Sequence, residues 1–146
     1  MKKGKIRPLV ICIFKYKDSI LVAEGYDSVN ESYYYRPIGG GIEFGEWSSD
    51  ALIREIREEI NTEIDNLEYI DTIENIFTYN GEIGHEIVVV YNAAFVDDTF
   101  YKTSSFEGEE DDGTIFKLIW VPVRDFQRGK FKLVPEKLLK VIKDFM

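Results

Sequence analysis

The stretch Arg54-Glu55-Ile56-Arg57-Glu58-Glu59-Ile60 crowds three glutamates onto two turns of one candidate helix. Like charges at i,i+4 destabilise a helix by a few tenths of a kcal/mol. Nearby arginines or a bound cation could offset that cost. On a wheel of about 100° per residue, Leu52, Ile53, Ile56 and Ile60 form one apolar stripe. Glu58, Glu55 and Glu59 share a wall about 100° wide beside that stripe. Arg54 is i,i+4 from Glu58 and can pair with it. The same pattern describes a solvated helix face held by weak salt bridges.

The residues ahead of the helix favour the cation. The segment Gly39-Gly40-Gly41-Ile42-Glu43-Phe44-Gly45-Glu46 holds four glycines and two further acids. Glycines let main chain approach a ligand closely, so Gly39 and Gly41 are candidate substrate contacts. A loop of this kind can also aim a carbonyl, such as that of Gly40, at whatever the glutamates hold. Carboxylates, a carbonyl and water suit Mg2+ or Mn2+ better than zinc. No His/Cys cluster competes. The single histidine, His85, reads as a structural residue at a strand start, and the single cysteine, Cys12, as a small buried hydrophobe.

The elements that must position these groups follow from pattern. Residues 6–25 read as two strands about a Lys17-Asp18-Ser19 turn. Residues 32–40 read as a short strand stopped by Pro37 and the glycines, and residues 48–60 as the helix. Ser48 or Ser49 can cap its start, and Asn61 can take the left-handed conformation that ends it. Two long strands follow, joined at Asn80-Gly81, a strong hairpin signal. Residues 103–113 read as an acidic loop, residues 114–123 as a last strand, and residues 135–145 as an amphipathic helix. The expectation is one α+β domain over residues 1–146, with a mixed sheet covered on both faces. Trp47 and Trp120 are expected in or beside the core.

Charge narrows the partners. With a net charge of −9 and no basic stripe, the chain is not expected to bind a nucleic-acid polymer. A phosphate-bearing ligand would be repelled, which makes divalent cations nearly obligatory. No segment approaches the roughly 18 apolar residues of a membrane span. The basic and then apolar start reads as a strand rather than a signal peptide, and a cytoplasmic location is the default expectation.

At the glycines and glutamates the chain resembles the Nudix hydrolases. Their box is Gly, five residues, Glu, seven residues, Arg-Glu, an aliphatic, any residue, Glu-Glu, any residue, Gly, an aliphatic. Here Gly40 is followed after five residues by Glu46, and after seven more by Arg54-Glu55-Ile56-Arg57-Glu58-Glu59. Asn61 and Thr62 depart from the last two positions; Asn still suits the left-handed turn. The resemblance implies an α/β/α sandwich with the box helix on one face and the C-terminal helix on another. It also implies metal-dependent hydrolysis of a nucleoside diphosphate linked to another moiety. Nucleoside triphosphates and dinucleoside polyphosphates lead the substrates so implied. Carried over, Glu55, Glu58 and Glu59 become metal ligands, joined by the Gly40 carbonyl. Arg54 would orient them, and Glu46 would hold Arg54 or reach the metal through water. The general base is either a box glutamate, Glu55 or Glu58, or an acid among Glu107, Glu109, Glu110, Asp111 and Asp112, with Glu110 first. Tyr35 and Tyr79 are candidate substrate contacts: Tyr35, in the Tyr33–Tyr35 run, could stack on a base, and Tyr79 sits 17 residues after Thr62, about where dinucleoside polyphosphate enzymes of the family carry a tyrosine. The alternative is a catalytically silent nucleotide-binding module of the same fold. A homodimer is possible, as many relatives pair.

Overall fold

Strand β1 (Ile6–Ile13) lies at the centre because the run Leu9-Val10-Ile11-Cys12-Ile13 is buried on both faces. Such a strand reads as a continuous apolar run rather than an alternation. Leu9, Ile11 and Ile13 enter one core, while Val10, Cys12 and the following Phe14 enter the other. The computed structural model describes residues 4–145. After β1 come β2 (Lys15–Tyr16), β3 (Ser19–Asp27), β4 (Ser32–Arg36), β5 (Gly39–Gly41) and α1 (Ser48–Ile60). The chain continues through β6 (Ile64–Tyr79), β7 (Glu82–Phe95), α2 (Thr99–Lys102), β8 (Ser105–Glu109), β9 (Ile115–Pro122), α3 (Val123–Gln127) and α4 (Leu138–Phe145).

Two sheets result. The first runs β5-β1-β7-β6 and is mixed, with β1 parallel to β7 and the other pairs antiparallel. The second, β2-β3-β9-β8 with β4 also on β3, is antiparallel. Helix α1 buries Ala51, Leu52 and Ile56 in the core that contains Val10 and Cys12. Helix α4 buries Leu138 and Ile142 in the opposite core. These are the expected layers, with the box helix and the C-terminal helix on different faces. Burial raises the Cys12 thiol well above its ordinary pKa, in keeping with a packing role.

Turn chemistry lies where the sequence puts it. Asn61 ends α1 at φ 50° and ψ 48°, its N–H donating to the Arg57 carbonyl. Asn80 and Gly81 both have positive φ, and β6 pairs with β7 from Ile64↔Phe95 out to Tyr79↔Glu82. The tip of this hairpin docks on the turn after β3, where Asn80 Oδ1 accepts from the Ser28 N–H and Oγ, each at 3.2 Å.

Several expectations change. The glycine segment is not all loop: Gly39–Gly41 form β5. A Cβ at Gly39 would strike the Val10 carbonyl, so only glycine lets this strand lie so close to β1. The segment expected as an acidic loop contains β8, with Glu107 opposite Lys117 and the Phe116 ring packed over Gly108. Thr103, Ser104 and the turn from Glu110 to Thr114 remain irregular. Neither serine caps α1. Trp47 holds the cap position without a side-chain bond, and the Ser48 hydroxyl instead pairs with the Tyr91 hydroxyl at 2.8 Å. Trp47 is 79% exposed rather than near the core, whereas Trp120 packs beside it and donates Nε1–H to the Phe100 carbonyl. Among the described residues no helix is long and apolar enough to cross a membrane.

Candidate active site

Arg54 organises the site. Its Nε and Nη2 donate to Glu46 Oε2 and Oε1 at 2.7 and 2.9 Å, and its Nη1 to Glu55 Oε1 at 2.9 Å and Glu58 Oε2 at 3.3 Å. Nη2 also donates to the Gly41 carbonyl at 2.9 Å. A guanidinium has five N–H bonds, and these contacts use all of them. Bidentate pairing with Glu46 fixes the plane of the fork. That arginine holds the Glu46 carboxyl down to about 2, with help from the Glu43 N–H. The arginine therefore serves as a strut between the glycine strand and the helix.

Helical spacing puts Glu55, Glu58 and Glu59 on the wall that faces this strut. Gly40 lies so close that a Cβ there would overlap the Glu55 carboxyl group. Glu59 is only 8% exposed. Burial first, then the charge of Glu110 and a hydrogen bond with Glu55, pushes its carboxyl up to about 9. Burial also raises Glu55. The carboxyl groups of Glu55 and Glu59 thus gather negative charge where burial penalises it. Among the acids of residues 107–112, Glu110 is the one whose charge acts on Glu59. Glu107 and Glu109 lie on β8, and Asp112 Oδ1 accepts the Thr114 N–H within the turn.

Among the described residues no three metal-ligating side chains converge into a ready-made cage. The donor set nonetheless fits a hard divalent cation. It consists of carboxylate oxygens alone, in a cluster whose acids outnumber Arg54 and Arg36 and whose charge is penalised first by burial. The β5–β1 ladder also decides which carbonyl could join. Cys12 N–H donates to Ile38 and Ile42 N–H to Pro8, so by antiparallel alternation Val10 and Gly40 are the hydrogen-bonded pair between them. The Gly40 carbonyl is thus turned to β1. Those of Gly39 and Gly41 point the other way, and Gly41 serves Arg54.

A cavity of about 480 Å³ opens between the two sheets, beyond the end of one core. Its wall includes Arg7, Arg36, Tyr34, Tyr79, Glu86 and Lys132. Arg36 links it to the carboxylates, since its charge pulls the Glu59 carboxyl down, against the larger upward effects. Tyr79 lies at the cavity, with its ring edge-on to Tyr34 at 5.7 Å. Tyr35 does not. It is 6% exposed in the core, and its hydroxyl donates to Glu24 at 3.0 Å. Strand alternation sends Tyr34 to the cavity and Tyr35 to the core. The sequence alone offered no signal for Arg7, Arg36 and Glu86, which come together only when distant strands pair.

Comparison with known proteins agrees with this geometry. The family model described as NUDIX domain matches residues 5–144. The NAD-capped RNA hydrolase NudC of Pseudomonas aeruginosa (strain LESB58) is 27% identical over 125 residues, covering 86% of this chain and 41% of that protein. This chain thus spans less than half the length of that relative. Among solved structures, a NUDIX hydrolase from Nitrosomonas europaea is 17% identical with a TM-score of 0.64, covering 97% of this chain and 88% of that one. A MutT NUDIX hydrolase from Burkholderia pseudomallei is 22% identical with a TM-score of 0.59, covering 83% and 86%. At such identities these structures speak for the fold alone. The box residues around Arg54, the two-faced layering on β1 and the match over residues 5–144 lead to one conclusion: the chain belongs to the Nudix family.

Proposed function

We propose that the chain is a divalent-metal-dependent pyrophosphohydrolase acting on a nucleoside diphosphate linked to another moiety. The observation that carries this reading is the Arg54 strut, whose five donors pin Glu46, Glu55, Glu58 and the glycine strand around a cluster of carboxylates. Glu55, Glu58 and Glu59 would hold Mg2+ or Mn2+, and the Gly39 carbonyl replaces that of Gly40 as the main-chain donor. When bound, the metal supplies positive charge against the pyrophosphate and lowers the pKa of water. Arg54 and Glu46 keep the carboxylates in place, which matters because displacement at phosphorus is mostly positioning and electrostatics. Water oxygen bonds to phosphorus, the bridging P–O bond breaks, and a carboxylate takes the water's proton. We assign that role to Glu58, whose Oε1 is left uncommitted by Arg54. Glu110 is the second reading, favoured by its action on Glu59.

The substrate is a small nucleotide derivative, with a nucleoside triphosphate or dinucleoside polyphosphate first. NAD joins them because a relative is named for hydrolysing NAD-capped RNA. The deciding experiment is a panel of these compounds with Mg2+ or Mn2+, the products identified by mass. Glu58→Gln and Glu59→Gln should each lower kcat at least about 10²-fold with little loss of fold. Unchanged turnover at saturating Mg2+ rejects the site. Glu110→Gln at full rate leaves Glu58 as the base. A wild-type protein that binds nucleotides and cleaves none is the silent module.

A further inference from the structure

Two arginines stand at the cavity with no part in the carboxylate strut. Arg36, at the end of β4, has Glu86 as its ion-pair partner, at 3.7 Å, too long for a hydrogen bond. Arg7 on β1 is the register partner of Glu86 on β7, so both side chains leave the same face of the sheet. Asn75 on β6 completes the row and donates Nδ2–H to Glu86 at 3.3 Å. Glu86 itself is 5% exposed, whereas Arg7 and Arg36 are half-buried. Arg7 Nη2 lies 3.6 Å from the place of a Cβ on Gly41, next to the carbonyl that Arg54 uses. A buried carboxylate therefore shares this wall with two half-buried arginines, on the side of the cavity nearest the glycine strand.

The geometry points to Arg7 and Arg36 as the residues that hold the phosphate of the substrate part lodged in the cavity. Glu86 is the partner of Arg36 until that anion arrives. This inference rests on the proposed hydrolysis for its substrate class, a nucleoside 5′-phosphate end, but not for its binding test. Two features support the choice of ligand. On a chain of net charge −9, phosphate needs cations to enter, and planar guanidinium groups suit its oxygens best. The Tyr34–Tyr79 pair in the same wall gives the attached nucleoside an aromatic surface. Arg7 and Arg36 are thereby specificity-determining: they select a phosphorylated nucleoside over a neutral one.

The test is calorimetric binding of ADP, GDP and inorganic pyrophosphate in EDTA, where turnover is absent, with adenosine and guanosine as neutral controls. Arg7→Gln and Arg36→Gln should each weaken binding of the anions about tenfold, and the double variant about 100-fold, with the neutral controls unchanged. Arg36→Lys should fall between wild type and Arg36→Gln, which guards against a variant that merely misfolds. Glu86→Gln should strengthen anion binding. Equal anion affinity in wild type and the double variant overturns the inference, as does a wild type that binds none of the three anions. On a compound that is hydrolysed, Arg7→Gln should raise KM by a larger factor than it lowers kcat. Hydrolysis with an unaltered KM sinks this inference and leaves the enzyme reading intact. Anion binding that depends on both arginines, without hydrolysis of any compound, does the reverse.

Discussion

Replacing Gly40 by alanine would place a methyl group where the Glu55 carboxyl group now sits. Gly40 has no positive φ, so the backbone itself tolerates the change. Ordinary carbon contacts begin near 3.5 Å, and relief requires the carboxyl group to retreat by roughly 1 Å. That retreat strains its bond to Arg54 Nη1. The obstacle is the end of a flexible side chain, so the net stability loss should be about 1 kcal/mol, or about 4 °C in Tm. A misplacement of about 1 Å at a catalytic group can cost about 10²-fold in rate. Gly39→Ala is the contrast, because its methyl group meets the Val10 carbonyl, a rigid obstacle. Parting β5 from β1 should cost about 3 kcal/mol, or about 10 °C. Thermal denaturation and initial rates with Mg2+ on a cleaved compound of the panel measure both variants. Full activity in Gly40→Ala, or a Tm loss equal to that of Gly39→Ala, refutes the reasoning.

Glu59 should make the metal-free protein pH-sensitive. Burial, Glu110 and Glu55 keep its proton up to about 9 in the folded state against an ordinary 4.5. Between those values the folded state binds more protons than the unfolded, so stability falls as pH rises. A Tm series in EDTA should show that fall, and Glu59→Gln should flatten it; a flat wild-type curve contradicts the assignment. Activity with Mg2+ should rise toward alkaline pH, as the box carboxyls ionise, and a rate maximum near pH 5 would oppose this. Arg54→Met should return Glu46 from about 2 to the ordinary carboxylate range, readable by a carbon-detected NMR titration. The stability that Glu46 contributes, present above its ordinary 4.5 and lost as pH falls toward 2, should vanish in that variant. Asn61→Ala should cost about 1–2 kcal/mol by thermal denaturation, since Asn61 is left-handed, while Asn61→Gly should cost little.

Local chemistry was the readable part of this chain. The α1 limits, its left-handed stop at Asn61 and the Asn80-Gly81 hairpin follow from periodicity and turn preference, which act over a few residues. The box glutamates, with Arg54 and Glu46, were legible because their spacing is itself the device. What escaped depends on pairing across the fold. Glycines at 39–41 resemble a loop until β1 lies beside them. Residues 105–109 resemble a charged loop until Lys117 and Phe116 supply their partners. Tyr34 and Tyr35 differ only by which side of β4 faces the cavity. Arg7, Arg36 and Glu86 carry no shared spacing, so nothing local announces them.

The docked hairpin tip has a consequence for how such a chain can change. Thr78 and Tyr79 contribute to the cavity wall, while Asn80 fastens the tip to Ser28. The Arg54 strut depends only on residues from the glycine strand through α1. Lengthening or trimming the β6–β7 ribbon by a pair of residues would thus resize the room offered to a guest molecule, yet leave Arg54 and the carboxylates it holds as they stand. Diet could drift by evolution at one end of the molecule without retooling the other.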